Sequence, residues 1–267
     1  AIDLRGTAGG GIMAERVVSM DRNYISSIKI SKPLPKGSYL NSLPAVRHLI
    51  RQGGLSFPKA VTFFVGENGT GKSTLLEGIA AAYGFNPEGG TKNFTFSTRA
   101  THSELYRHLT IARQAFPKDG FFLRAESFYN VASNIDEMDA ADPPKKRLLN
   151  SYGGRSLHAQ SHGESFLALV RNRFGGDGLY LLDEPESALS PSRLMTLLAI
   201  IHNLVQNRSQ FIIATHSPIL MAYPGAQVHE LTEDGIRAVD YRETEHYRLT
   251  RRFLENPEKM LRYLLEE

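Results

Sequence analysis

The stretch of sequence that decides the fold is the glycine-rich octapeptide Gly66-Glu67-Asn68-Gly69-Thr70-Gly71-Lys72-Ser73. Its glycines let the backbone curl so that successive N–H groups point inward at phosphate oxygens. In such a loop the lysine neutralises the β- and γ-phosphates of a nucleotide, and the serine hydroxyl is a ligand for Mg²⁺. We therefore predict a site for ATP and Mg²⁺, with phosphate contacts from Asn68, Gly69, Thr70, Gly71, Lys72, Ser73 and Thr74.

The segments on either side of the octapeptide supply the context that it needs. Ala60–Val65 is a continuous apolar, β-branched run, which is typical of a strand buried on both faces. Thr74–Tyr83 has a helical pattern that Gly84 ends, and a helix starting here adds its positive N-terminal end to the site. The alternative is a glycine-rich turn beside an ordinary helix start, but a strand–loop–helix context favours phosphate binding.

Strands and helices alternate along the rest of the chain. The predicted strands are Tyr24–Ile30, Gly120–Ala125, Leu179–Leu182 and Gln210–Ala214, with a closing hairpin of Val228–Leu231 and Ile236–Asp240. The predicted helices are Ala45–Arg51, Glu164–Phe174, Ser192–Gln206 and Pro257–Leu265. This alternation predicts an α/β fold with a mainly parallel central sheet flanked by helices, an antiparallel β portion and a small helical insertion.

The domain organisation follows from changes in composition. Residues 1–19 begin with a stretch rich in glycine and small side chains, so we expect a leader or tag outside the fold. Residues 20–267 are predicted to form one domain, in which the more polar segment of about residues 86–160 is an insertion or helical subdomain.

A pair of carboxylates follows the predicted strand Leu179–Leu182. Ligands bind beyond the carboxyl ends of the strands in open parallel sheets, so Asp183 and Glu184 are placed to reach the bound nucleotide. We predict that Asp183 binds Mg²⁺ and that Glu184 polarises the attacking water. The alternative is a polar strand end that turns at Pro185.

Two further polar groups stand at comparable positions. Ser161-His162-Gly163-Glu164 opens a predicted helix; it reads equally well as a capping box, with Glu164 three residues after Ser161. His216 follows the strand Gln210–Ala214 and should lie on the same sheet edge as Asp183, where it can hydrogen-bond a γ-phosphate or the attacking water. A lone histidine is more often structural.

Composition narrows the classes of function. The absence of cysteine excludes disulfides, thiolate zinc sites and cysteine nucleophiles, and suits a reducing cytoplasm. No segment approaches the ~20 apolar residues that span a bilayer, so we expect no membrane insertion. A formal charge of +3 permits a nucleic-acid partner without requiring one. The cluster Arg248, Arg251 and Arg252 is interleaved with glutamates, which favours a solvated mixed-charge face over a DNA contact.

The order of these motifs resembles the ATP-binding-cassette (ABC-type) P-loop ATPases. Their phosphate loop, signature, catalytic strand, D-loop and switch histidine correspond here to Gly66–Ser73, Ser161–Glu164, Leu179–Glu184, Ser187–Ser190 and His216. The chain looks most like small bacterial predicted AAA-family ATPases of the RecF and chromosome-maintenance type. The resemblance implies ATP hydrolysis by Glu184 and His216, and contacts of Ser161, Gly163 and Glu164 with the ATP of a second chain.

The chain departs from the transporter pattern in several places. His162 and Glu164 replace a glycine and a glutamine in the signature, and Glu126 takes the Q-loop position, where it is a candidate ligand of Mg²⁺. Arg99 is a candidate phosphate contact by analogy. Only 87 residues separate Ser73 from Ser161, too few for the long coiled-coil arms of chromosome-maintenance ATPases.

The resemblance implies a homodimer that closes on ATP and opens on hydrolysis. Three functions remain open: an ATPase switch in DNA maintenance or defence that acts on DNA or on a protein partner, the ATP-binding subunit of a membrane transporter, and a nucleotide-gated regulatory module with negligible turnover. Co-purification with a membrane protein distinguishes the second from the first, and an ATPase assay distinguishes the third.

Overall fold

A computed structural model describes residues 23–87, 89–91, 103–126, 128, 132, 133 and 161–265, without the side chain of His162. The strands are β1 (Ser27–Ile30), β2 (Leu55–Ser56), β3 (Val61–Gly66), β4 (Leu109–Ala112), β5 (Asp119–Arg124), β6 (Gly178–Asp183), β7 (Gln210–Ala214), β8 (Gln227–Thr232) and β9 (Gly235–Val239). The helices are α1 (Pro44–Gln52), α2 (Lys72–Tyr83), α3 (His162–Arg173), α4 (Pro191–Gln206), α5 (Pro218–Met221), α6 (Glu245–Glu255) and α7 (Pro257–Leu265). The predicted leader, Arg99 and most of the predicted insertion lie outside the described residues.

A six-stranded sheet forms the centre of the protein, in the order β5-β6-β7-β3-β8-β9. The first five strands in this order are parallel to their neighbours, and β9 pairs antiparallel with β8. Every residue of β3, β6 and β7 is buried, as expected for apolar strands covered by helices on both faces. The predicted α/β fold with a mainly parallel sheet and a closing hairpin is confirmed.

Alternate residues of β3 serve two separate cores, because successive side chains of a strand point to opposite faces. Phe63 packs in a cluster with side chains of α3 and α4, whereas Phe64 packs in a cluster with side chains of α1 and α2. The sheet is therefore the middle layer of a three-layer arrangement.

A second sheet has three antiparallel strands in the order β2-β1-β4. It supplies the antiparallel portion that the sequence predicts, but β4 and the two-residue β2 are absent from that prediction. Ile28 of β1 is buried in the α1–α2 cluster, so this sheet packs on the same face as the helix that follows the phosphate loop.

The chain ends in two helices, of which only α7 is predicted from the sequence. Both leave large apolar side chains exposed, namely Leu249, Phe253, Leu254, Leu261, Tyr263, Leu264 and Leu265. The arginines 248, 251 and 252 are exposed on α6, where Arg251 pairs with Glu255 at 2.7 Å. None of the helices in the described part of the chain combines the length and apolar character that crossing a membrane requires.

Candidate active site

The phosphate loop connects the end of β3 to the start of α2 and lies at the carboxyl edge of the central sheet. Gly66 has φ of 135°, and a Cβ there would collide with the carbonyl oxygen of Leu231 on β8. Gly71 has φ of 98° and caps α2. Both positions require glycine, because L side chains rarely adopt these angles. The predicted contacts Asn68, Gly69 and Thr70 lie between these two glycines, and Ser73 and Thr74 lie in the first turn of α2.

Lys72 is buried within the loop that it follows. Its Nζ donates hydrogen bonds to the carbonyl oxygens of Gly66 at 2.8 Å and Glu67 at 3.0 Å. Burial lowers the pKa of Lys72, while the nearby carboxylates of Glu184 and Asp183 act in the opposite direction. An anionic phosphate in the loop would supply the counter-charge that a buried ammonium group needs.

Ser73 and Asp183 meet across the sheet edge. The hydroxyl of Ser73 donates a hydrogen bond to Asp183 Oδ1 at 2.9 Å, although the two residues are 110 positions apart in the sequence. A hydroxyl and a carboxylate oxygen side by side form a donor set that suits Mg²⁺, which prefers oxygen ligands. The residues present therefore fit the ion that the phosphate loop implies.

Arg124 balances the charge of this candidate metal site. Its Nε lies 3.4 Å from Asp183 Oδ2, and its Nη1 donates to Glu77 Oε2 at 2.9 Å. Burial raises the pKa of Asp183 to about 6, although the charge of Arg124 opposes this rise. Glu126 is exposed and approaches Arg124 Nη2 at 3.5 Å, so it lies beside this cluster on the loop after β5.

Glu184 and His216 face each other at the ends of β6 and β7. His216 Nε2 lies 3.5 Å from Glu184 Oε1. Glu184 has a left-handed backbone with φ of 49°, and its N–H donates to Ala214 O at 2.9 Å, which ties the two strand ends together. Strained residues of this kind cluster at functional sites. His216 follows Ala214, the register partner of Asp183, and so lies on the same sheet edge as Asp183, as expected.

A second histidine, His246 on α6, contacts His216. The distance from His216 Nδ1 to His246 Nε2 is 2.9 Å, and His246 Nε2 lies 3.7 Å from Glu67 Oε1 in the phosphate loop. Burial lowers the pKa of His216, and the positive charge of Lys72 lowers it further. The imidazole ring of His216 is therefore neutral at physiological pH.

Ser161, Gly163 and Glu164 lie at the start of α3. The Ser161 hydroxyl donates to Glu164 Oε2 at 2.6 Å and its N–H to the same oxygen at 3.2 Å, so the capping interaction is present. These hydrogen bonds lower the pKa of Glu164. Arg193 on α4 pairs with Glu164 at 3.3 Å, and a Cβ on Gly163 would lie 2.9 Å from Ala188 O. The contacts found for this group are thus with α3, α4 and the turn before α4.

Three residues of the site are not among the sequence predictions: Glu77, Arg124 and His246. Glu77 is buried on α2 and accepts hydrogen bonds from the backbone of Ser103 and from Arg124. Glu77 could have been predicted from the sequence, because it is a charged residue among apolar ones in the helix that follows the phosphate loop. The contacts of Arg124 and His246 depend on strand register and on the path of the chain.

Two family models match separate parts of the chain. The model described as "AAA domain, putative AbiEii toxin, Type IV TA system" matches residues 158–222, and one described as "AAA domain" matches residues 47–120. These segments contain the residues of the phosphate loop, Ser161–Glu164, Asp183, Glu184 and His216.

Curated relatives are ATP-binding proteins of sugar importers. The xylose import ATP-binding protein XylG of Moorella thermoacetica is 24% identical over 210 residues, covering 74% of this chain and 40% of that protein. The ribose import ATP-binding protein RbsA 1 of Rhizobium meliloti is 28% identical over 196 residues, covering 66% of this chain and 37% of that protein. The chain thus spans two-fifths or less of the length of these relatives.

Solved structures match at lower identity. CbiO1 of Clostridium perfringens, part of an ABC transporter complex, is 15% identical with a TM-score of 0.47, covering 91% of this chain and 99% of that chain. The SMC head domain of Thermotoga maritima is 17% identical with a TM-score of 0.38, covering 70% and 92%. At these TM-scores the similarity to the two structures carries no conclusion about function.

Proposed function

We propose that this chain, which is an ABC-type P-loop ATPase domain, binds ATP with Mg²⁺ and hydrolyses it to ADP and phosphate. The observation that carries the proposal is the meeting of three strand ends at one edge. There the loop after β3 presents Lys72, β6 presents Asp183 and Glu184, and β7 leads into His216. This is the crevice in which open parallel sheets bind ligands.

In this proposal Lys72 and the backbone N–H groups of the phosphate loop hold the β- and γ-phosphates. Ser73 and Asp183 hold Mg²⁺, with Glu126 as a further oxygen ligand directly or through water. The ion supplies positive charge that offsets the charge developing on the phosphate oxygens. Arg124 pairs with Asp183 on the side away from Ser73, and so keeps that carboxylate oriented.

Hydrolysis would then proceed by in-line attack of water on the γ-phosphorus. Glu184 accepts the proton of the attacking water, the bond from the γ-phosphorus to the bridging oxygen breaks, and ADP leaves with the electron pair of that bond. Neutral His216 donates a hydrogen bond from Nε2 to a γ-phosphate oxygen. Its position 3.5 Å from Glu184 supports this role.

The test is phosphate release from ATP in the presence of Mg²⁺ by the wild-type protein and by Lys72→Ala. We expect turnover in the wild type and none in the variant. A wild type that binds ATP with no turnover would replace the enzyme assignment with the nucleotide-gated regulatory module.

A homodimer that closes on ATP is the second part of the proposal. Ser161, Gly163 and the start of α3 would contact the γ-phosphate held by a second copy, since a helix N-terminus is a ready anion site. The anion Glu164 opposes a phosphate there, and its ion pair with Arg193 at 3.3 Å offsets that repulsion. Light scattering after size exclusion on Glu184→Gln tests this: a monomer should become a dimer only with ATP and Mg²⁺. A molecular mass that does not change with ATP would contradict the proposal of an ATP-dependent dimer.

Two processes are supported by different observations. The printed names of the curated relatives favour the ATP-binding subunit of an importer, which needs a separate membrane protein. Glu164 in the signature favours a switch in DNA maintenance or defence, with DNA or a protein as its partner and a cytoplasmic location. Retention of the purified chain by DNA, compared with its capture by a membrane protein, separates the two.

A further inference from the structure

We propose that His246 is a positioning residue that fixes the tautomer and orientation of His216; the inference rests on the proposed function, in which His216 contacts the γ-phosphate. The observation behind it is the 2.9 Å contact between His216 Nδ1 and His246 Nε2. The two ring centroids are 4.9 Å apart, and the planes are inclined at 57°. One of these nitrogens must donate and the other must accept.

The surroundings of His246 decide which nitrogen donates. Its other nitrogen, Nδ1, is buried and has no hydrogen-bond partner among the described residues. Orphaned N–H donors are rarer in proteins than orphaned acceptors, so the proton belongs on Nε2. The carboxylate of Glu67, 3.7 Å from the same Nε2, also favours a proton there. His246 Nε2–H therefore donates to His216 Nδ1.

The consequence for His216 follows from the chemistry of a neutral imidazole. Because Nδ1 accepts a hydrogen bond, the ring proton of His216 is held on Nε2. That nitrogen is the one facing Glu184, at 3.5 Å. His216 thus presents an N–H donor to the place where the γ-phosphate would bind, rather than a lone pair that would repel an anionic oxygen.

The fold holds His246 in place through the start of α6. Thr244 is fully buried and caps the helix, accepting a hydrogen bond from Tyr247 N at 3.4 Å. The N–H of Glu245 donates to Glu230 Oε1 at 3.2 Å on β8, next to the phosphate loop. These contacts give α6 a role that its exposed, mixed-charge sequence does not predict, because they place His246 beside His216 in the active site.

The test compares His246→Leu, which cannot donate, with His246→Gln, whose amide can. His202→Gln is the matched control, because His202 is an exposed histidine on α4 whose ring contacts Tyr223. Long-range ¹H–¹⁵N spectra of the imidazoles, with His216 assigned from a His216→Gln sample, report the tautomer directly. We expect the Nε2–H tautomer of His216 in the wild type, in His246→Gln and in the control, and a tautomer mixture in His246→Leu.

Kinetics give a second readout. We expect the kcat of His246→Leu to fall about tenfold, equivalent to ~1.4 kcal/mol, with KM for ATP unchanged and with recovery in His246→Gln. An Nδ1–H tautomer of His216 in the wild type, a His216 spectrum unchanged in His246→Leu, or equal kcat in all variants would overturn the inference. If the wild type hydrolyses no ATP, the proposed function fails, and the tautomer spectra alone decide the role of His246.

Discussion

Replacing Asp183 with asparagine should change how the stability of the nucleotide-free protein depends on pH. Asp183 is buried beside Glu184, and burial raises its pKa from 3.8 to about 6. A raised carboxyl pKa means that the folded state keeps a proton that the unfolded state loses. Wild-type stability should therefore fall as pH rises between these two values, and asparagine, which does not titrate, removes that fall.

The size of the effect follows from the two pKa values. Each tenfold change in a protonation constant corresponds to about 1.4 kcal/mol, so the raised pKa of Asp183 lowers the free energy of unfolding by about 3 kcal/mol at pH 7.5 but by only about 1 kcal/mol at pH 4.5. The free energy of unfolding of the wild type should thus drop by about 2 kcal/mol, relative to Asp183→Asn, over this range. The comparison between two pH values cancels every effect of the substitution that does not depend on pH.

Urea unfolding in EDTA, without nucleotide, at pH 4.5 and 7.5 measures this difference. Asp177→Asn is the matched control, because hydrogen bonds from Arg208 and Lys118 lower the pKa of Asp177, so this carboxylate is ionised in the folded and mostly ionised in the unfolded state between pH 4.5 and 7.5 and adds little to the pH slope. Equal pH slopes for the wild type and Asp183→Asn would refute the account in which burial of Asp183 outweighs the charge of Arg124. Mg²⁺ with ATP should abolish the difference in the wild type by supplying the missing positive charge.

Three other variants test separate parts of the site. Lys72→Ala should lose the thermal stabilisation by ATP, which in the wild type should amount to about 2.7 kcal/mol at an ATP concentration of 100 times Kd. If ATP still raised the melting temperature of the variant in scanning fluorimetry, the role of the phosphate loop would be contradicted. Ser73→Ala should raise the Mg²⁺ concentration needed for half-maximal turnover about tenfold or more, with little change in the affinity for ATP measured in EDTA. An unchanged Mg²⁺ titration would contradict the role of Ser73 in the metal site. Gly163→Ala should bind ATP normally but fail to form the ATP-dependent dimer, because the new Cβ crowds Ala188 O and Arg193; dimerisation at the wild-type concentration by light scattering would show that this surface is not the interface.

Local patterns were sufficient to predict the framework of the site. The bounds of β7 and α7 agree with the predicted ranges, and the strand before the phosphate loop differs by one residue at each end. These elements have continuous apolar or strongly periodic sequences. The convergence of Asp183 and His216 on one edge was also predictable, because the ends of parallel strands necessarily meet there.

The missing parts depend on contacts between distant residues. Arg124 meets Asp183 because the two are register partners on β5 and β6, and register is a property of the sheet rather than of either strand. Helix α6 has only exposed or half-exposed residues, so it lacks the buried apolar stripe by which a helix is usually predicted. For this reason neither the helix nor the contact of His246 was predicted. The short β4 is held by its pairing with β1 more than by its own propensity.

The central claim is that Glu184 carries out the chemical step on ATP bound at this sheet edge. Single-turnover hydrolysis of ATP labelled at the γ-phosphate, with enzyme in excess and Mg²⁺ present, separates that step from binding and release. Glu184→Gln should bind the labelled ATP as tightly as the wild type and cleave it about 10²- to 10⁴-fold more slowly. Cleavage at the wild-type rate would contradict the assignment of Glu184 and, with it, the account of how this edge hydrolyses ATP.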